Sequence, residues 1–281
     1  MVPEHEFLSH LLQREEAVTF FFFVFMRFSG LLVISPLLSN KAIGGMIRFF
    51  LAGYSAILLS MTLYPDYLGP APRYIGWDKS QVGAINLVLT GIEEVFVGYV
   101  IGFSFNVVLE AMKVAGEVID SMIGFSTAQF LDPISNTFQS SLGHLLLLFG
   151  ASIILLLDLH HYFFILLAES FSIVPIGHAH ISAAAIDNLS YITSLLWVFG
   201  IKFGAIPIVV LACGLVGIAF TVRVVPEMNL LLTGLPMRVL IGLYTIMMAL
   251  GRILPIFEES FIQIYQLIED LLHNLVQGNV Q

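Results

Sequence analysis

Three groups of residues are of types that could do chemistry. Asp158, His160 and His161, in "LLLDLHHYFF", could ligate a metal. Gly124-Phe125-Ser126-Thr127-Ala128 approaches the G-x-S-x-G turn that presents a serine nucleophile. Glu93 and Glu94 are paired carboxylates inside an apolar run. The serine stretch lacks the final Gly, and no strand precedes it. The two histidines are expected to point in different directions from an apolar helix, where packing against a neighbour is the default. No enzyme is expected, and no catalytic residue, metal ligand or cofactor is assigned. The rival reading is transport: Glu93, Glu94 and Pro207 as the broken-helix, mid-membrane site of a secondary transporter.

The elements that must position these groups follow from composition. Of 281 residues, 58% are hydrophobic and 11% charged, and the mean hydropathy is +0.94. A soluble domain carries about 25% charged residues. So few cannot cover a water-facing surface, which makes this an integral membrane protein. A net charge of -9 speaks against nucleic acid as a partner. The acid gathers towards the ends, at Glu4, Glu6, Glu15 and Glu16, then Glu258, Glu259, Glu269 and Asp270. The opening "MVPEHEFLSHLLQREE" is acidic where a cleavable signal needs positive charge. The lone Cys213 lies in an apolar run and is expected to be a small buried hydrophobe.

A membrane span needs about 20 apolar residues. Six runs qualify: Val18–Leu38, Ala42–Leu63, Val82–Leu109, Leu142–Leu167, Leu189–Phe220 and Leu230–Phe257. They lack strand alternation, so the fold class is all-α and polytopic. A kink is expected at Pro207. Five charges interrupt the runs: Arg27, Arg48, Glu93, Glu94 and Lys202. A central Arg, Lys or Asp costs roughly 2.5–3.5 kcal/mol on insertion scales. Such residues therefore face a bundle interior, water or another subunit. Gly98 and Gly102, and Gly200 and Gly204, have the spacing that lets helices approach closely. If all six runs cross, the Lys and Arg count favours the odd-numbered connections in the cytoplasm.

A polar stretch, "GFSTAQFLDPISNTFQSS", interrupts this chain at Gly124–Ser141. Before it, Glu110, Lys113, Glu117 and Asp120 fall on one helical stripe, and Met112, Ala115, Ile119 and Met122 on another. That helix either lies at the interface or lines an aqueous passage. Asp132-Pro133 marks a turn. Non-helical backbone at membrane depth is tolerated only inside protein or against water. Near the far end, Phe257, Phe261, Ile264, Ile268, Leu271 and Leu275 form one stripe, predicting an amphipathic helix over 258–276. It is too acidic to prefer an anionic membrane. Its expected cover is a neighbouring subunit or the chain's own Phe7–Leu12.

Four stretches carry a family resemblance: "MRFSGLLVISPLLS", "AGEVIDSMIGFSTAQFLDPISNTFQ", "LLLDLHHYFFILLAESFSIVPIG" and "RVVPEMNLLLTGLPMRVLIGL". In this order they resemble the FliR/SctT family, the R-type subunits of the export gate in flagella and type III secretion injectisomes. The flagellar branch is the nearer. The family's "PQMN"-like motif reads Pro226-Glu227-Met228-Asn229 here, and its Gly-His pair reads Leu159-His160.

The resemblance implies a hetero-oligomeric gate with P-type and Q-type subunits, through which unfolded flagellar proteins enter the export path. It implies bent hairpins, P-type-like over 18–167 and Q-type-like over 189–257. It places the protein in the bacterial inner membrane, within the flagellar basal body. The loop 123–139 resembles the family's pore plug, with Ile123, Gly124, Phe125, Ser126, Thr127, Ala128, Gln129, Phe130, Asp132 and Pro133 in it. Arg223, Pro226, Glu227, Asn229 and Arg238 match a cytoplasmic hairpin tip around which a B-type switch subunit would wrap. The intraspan charges would then meet neighbouring subunits.

Overall fold

In hydrocarbon every backbone N–H and C=O must be satisfied within the chain, and helices do this segment by segment. The computed structural model describes residues 4–34, 44–67, 84–124, 140–224 and 230–276. Its elements are α1 (Glu4–Ile34), α2 (Gly45–Tyr67), α3 (Ala84–Ile123), α4 (Ser141–Leu156), α5 (His160–Ile173), α6 (Ala183–Val224) and α7 (Leu230–Val276). All regular elements among the described residues are helices, as the composition required.

The described parts of the six expected runs fall on helices, but with different boundaries. Four helices are long and apolar enough to cross alone: Gly45–Leu63, Ile85–Ile123, Ala183–Thr221 and Gly234–Val276. The first run survives as a shorter apolar helix, Val18–Ile34, and residues 35–43 lie outside those described. The fourth run is not one straight span. It breaks into α4 and α5, which meet at 71°. Asp158 at the break has φ 55, the left-handed region that Asp tolerates better than most residues. The Leu157 and Leu159 N–H groups turn back onto the carbonyls of Ile153 and Ile154, at 2.9 Å each, and close the end of α4.

Elsewhere the helices run on through prolines and past the expected ends of the apolar runs. α6 continues through Pro207, and α7 through Pro236 and Pro255. The C-terminal amphipathic segment is thus the last part of one 47-residue helix. α3 likewise joins its apolar run to the amphipathic segment in 40 residues. Each of these three helices is about 60–70 Å long, twice the hydrocarbon thickness.

The chain forms two compact units, each assembled from separated stretches. The first takes Met1–Asn106, His160–Ser190 and Tyr265–Gln281. Its core gathers Phe20, Phe23, Val24, Ala56, Phe171 and Ile176. Glycines bring α1 onto α3. A Cβ on Gly98 would strike the Arg27 carbonyl, one on Gly30 the Val95 carbonyl, and one on Gly102 the Leu31 backbone. Glycine spacing therefore serves packing within the chain here. The carbonyls at the end of α7 also find partners in this unit. The His180 N–H donates to Leu275 O at 2.9 Å, and Ser182 Oγ to Asn274 O at 2.8 Å. The same Ser182 Oγ caps α6 by accepting from the Ala185 N–H at 3.0 Å.

The second unit takes Val107–Leu159 and Tyr191–Ile264. Gly200 of α6 faces the Ala111 carbonyl of α3, and Gly204 faces Ala115. Phe203 stacks on Phe257 with centroids 5.9 Å apart. The whole stripe Phe257, Phe261, Ile264, Ile268, Leu271 and Leu275 is buried within the chain, so no neighbouring subunit is needed to cover it. Cys213, expected to be buried, is exposed. In a membrane protein an apolar position need not be an inside position, because lipid or another subunit can face it.

Candidate functional site

Arg27 is the largest fully buried side chain among the described residues. It sits in α1 one turn before Gly30, at the crossing with α3. The close approach at Gly30 and Gly98 brings it against Glu94. Arg27 Nε donates to Glu94 Oε2 at 2.6 Å, and both side chains have 0% exposure. Nη1 donates to Ser170 Oγ and Nη2 to the Val174 carbonyl, each at 3.0 Å. The guanidinium also lies over the Phe171 ring, 4.0 Å from its centroid. Glu94 Oε1 accepts from the Gly177 N–H at 3.2 Å, and Gly177 has φ 75, which suits a glycine.

The site thus ties α1, α3, α5 and the turn after α5 around one neutralised charge pair. Charge-assisted bonds of this kind are short and strong. Breaking a buried pair by removing one partner costs about 3–5 kcal/mol. The planar fork of Arg27 is spent on Glu94, Ser170 and Val174, so it is an anchor rather than a reactive group.

The other expected charges stand apart from this anchor. Glu93 is half-buried and takes no part in the Arg27 bonds. Arg48 is half-buried near the start of α2. Lys202 is exposed, with its Nζ 5.5 Å from the centroid of the Phe199 ring. His160 and His161 lie with ring centroids 4.2 Å apart, at 31° to each other, and do not diverge as expected. Both stand at the first turn of α5, just past the bend.

The polar stretch starts and ends at one place in the second unit. Of the expected plug residues, Ile123 and Gly124 are described, while Phe125, Ser126, Thr127, Ala128, Gln129, Phe130, Asp132 and Pro133 lie outside the described residues. α3 ends at Gly124, whose φ of 98 and N–H bond to the Asp120 carbonyl close the helix. α4 begins at Ser140, whose Oγ accepts from the Gly143 N–H at 2.9 Å. The two ends are clamped together. Gly116 lies against the Gly143 backbone so closely that a Cβ would not fit. Asp120 is buried, and its carboxylate accepts from the Leu142 N–H at 3.4 Å, favoured by the α4 dipole.

The stripe leading here is therefore mixed. Glu110 and Lys113 form a half-exposed pair at 3.2 Å, Glu117 is exposed, and Asp120 is a buried strut. Of the expected hairpin tip, Arg223 is exposed and Arg238 half-buried, while Pro226, Glu227 and Asn229 lie outside the described residues.

The family model for bacterial export proteins, family 1, matches residues 18–264. The chain belongs to this family. The flagellar biosynthetic protein FliR of Pectobacterium carotovorum subsp. carotovorum is 25% identical over 259 residues, which are 92% of this chain and 94% of that protein. Its namesake from Escherichia coli (strain K12) is 23% identical over 256 residues, 91% and 93% of the two chains. That of Caulobacter vibrioides is 26% identical over 248 residues, 85% and 91%. These findings bear out the resemblance read from the four stretches. Ser170, Val174 and Gly177 escaped functional notice in the sequence, although they lie within "LLAESFSIVPIG". The signal there was Ser170 in an otherwise apolar helix, followed by a Pro-Ile-Gly turn.

Proposed function

We propose that this chain is the R-type subunit of a flagellar type III export gate in the bacterial inner membrane. With P-type and Q-type subunits it forms the channel through which unfolded flagellar proteins enter the export path. The observation that carries this reading is the family match, whose relatives are flagellar biosynthetic proteins aligned over nearly their whole length. Long helices that outreach a bilayer, with charges held between them, suit a subunit sheathed by others. The loop 123–139 is the plug of the closed pore. The clamp of Gly116 on Gly143 supports this, because a segment whose two ends are pinned at one point can fold into a lumen without disturbing its flanking helices. The tip around Arg223 and Arg238 is where a B-type switch subunit wraps.

Two measurements test the proposal. The tagged chain, extracted in gentle detergent, brings down P-type and Q-type subunits. Deleting several residues of 125–137 leaves that complex intact and raises the permeability of the cells to ions and small solutes. A chain that purifies alone, or an assembled deletion variant with unchanged permeability, contradicts the corresponding half of the reading.

A further inference from the structure

α6 buries one face and leaves the other bare. Gly200 and Gly204 meet α3 on the inner side. Tyr191, Val198, Lys202, Val209, Val216 and Phe220 lie on the outer side, at steps of seven, four, seven, seven and four residues. At 100° per residue these positions stay within a narrow stripe. All are exposed, Val209 at 61% and Phe220 at 65%. Lys202 is the one charge in the stripe. Among the described residues it has no hydrogen bond and no ion pair, only the ring of Phe199 on its own helix.

Lipid alone cannot satisfy this face. From Tyr191 to Phe220 the stripe is about 44 Å long, and a hydrocarbon core is about 30 Å thick. If Lys202 lies at mid-membrane, its ammonium is too deep for a lysine stem to reach either surface. If Lys202 lies at an interface, one half of the stripe spans the membrane and the other half stands in water with its apolar side chains uncovered. Both placements call for protein. An exposed apolar patch of this extent marks an interaction surface, and the unpaired cation fixes the sign of what faces it.

We infer that the outer stripe of α6 docks an apolar helix of another membrane subunit, which presents an Asp or Glu carboxylate to Lys202. The inference rests on the export-gate reading and names the chemistry of one of its interfaces. The test uses the whole assembly. Lys202→Glu is expected to cut the yield of the detergent-extracted complex at least tenfold at equal membrane level of the chain, whereas Lys202→Arg keeps it.

A second measurement needs no variant. Cys213, the single cysteine, is exposed on the flank of the same stripe. N-ethylmaleimide is expected to label it at least tenfold more slowly in the complex than in the chain freed from its neighbours, both in the same detergent. Equal labelling rates mean that lipid or detergent covers the face, and they overturn the inference. So does wild-type complex yield from Lys202→Glu while the wild-type chain binds its partners, an outcome that leaves the gate reading standing. A wild-type chain that brings down no subunit overturns the gate reading, and this inference with it.

Discussion

α3 and α6 are alike in sequence terms and opposite in surroundings. They have 40 and 42 residues, and both carry charges and close glycine pairs within apolar runs. Yet over an apolar stretch of 18 residues in each, 67% of α3 is buried within the chain, against 22% of α6. On α3, Glu94 has its counter-charge from α1, Asp120 has a backbone donor from α4, and Gly98 and Gly116 sit against other backbones. On α6, only the face carrying Gly200 and Gly204 is engaged, and Lys202 is left outside. A charge in an apolar helix shows that a partner is needed. Only the packing shows whether the chain itself supplies it.

Substitutions can break or sharpen that contrast. The largest effect is expected at Gly98. Leu there collides with the Arg27 backbone and opens the α1–α3 crossing, so Gly98→Leu should abolish the monodisperse peak of the detergent-extracted chain in size-exclusion chromatography. Gly217 of α6 has nothing within 4 Å of an added Cβ, and Gly217→Leu should leave that peak unchanged. A tolerated Gly98→Leu means that α3 is not sheathed as described.

Next in size is the charge pair. Arg27→Met strands Glu94 and should cost about 3–5 kcal/mol, read as a fall in the thermal unfolding midpoint of the isolated chain. The double variant Arg27→Met, Glu94→Met should recover most of the loss, because no unpaired charge remains. Lys202→Met in the same isolated chain should shift the midpoint by less than about 0.5 kcal/mol, as for an ordinary surface site. Equal penalties at Arg27 and Lys202 would erase the distinction between the two helices.

The smallest effect is expected at Ser182, which caps α6 and holds the Asn274 carbonyl. Ser182→Ala should cost about 1 kcal/mol. Its signature is faster hydrogen exchange in the first turn of α6, with the Arg27 neighbourhood unchanged.

The sequence foretold the helical class, the need for partners at Arg27 and Glu94, and the close approach at Gly98 and Gly102. It did not show that Arg27 and Glu94 serve each other. Their separation is 67 residues, and their meeting depends on Gly30, which no short-range pattern singles out. The bend at 157–159 was hidden for a similar reason. "IILLLDLHHYFF" is apolar enough to read as one span, and only Asp158 hints at a left-handed residue. Local pattern also mistook continuity for boundary in α7, where the apolar run ending at Phe257 and the amphipathic stretch over 258–276 read as two elements and are one helix. Asp120 read as part of a wet stripe because the return of α4 onto α3 crosses the loop and leaves no periodic trace.

The first unit draws on residues made early, midway and late, and that has a consequence for biogenesis. Synthesis runs at about 5–20 residues per second. Glu94 follows Arg27 by 67 residues, and Ser170 follows it by 143. The arginine therefore waits about 3–13 s for its carboxylate and about 7–29 s for its hydroxyl. His180 and Ser182 wait for the carbonyls of Asn274 and Leu275, made more than 90 residues later. The first unit cannot close as its helices leave the insertion machinery one by one. It closes in a final step, when the end of α7 arrives, and until Ser170 and Val174 have been made the half-built chain carries an incompletely satisfied charge through the membrane.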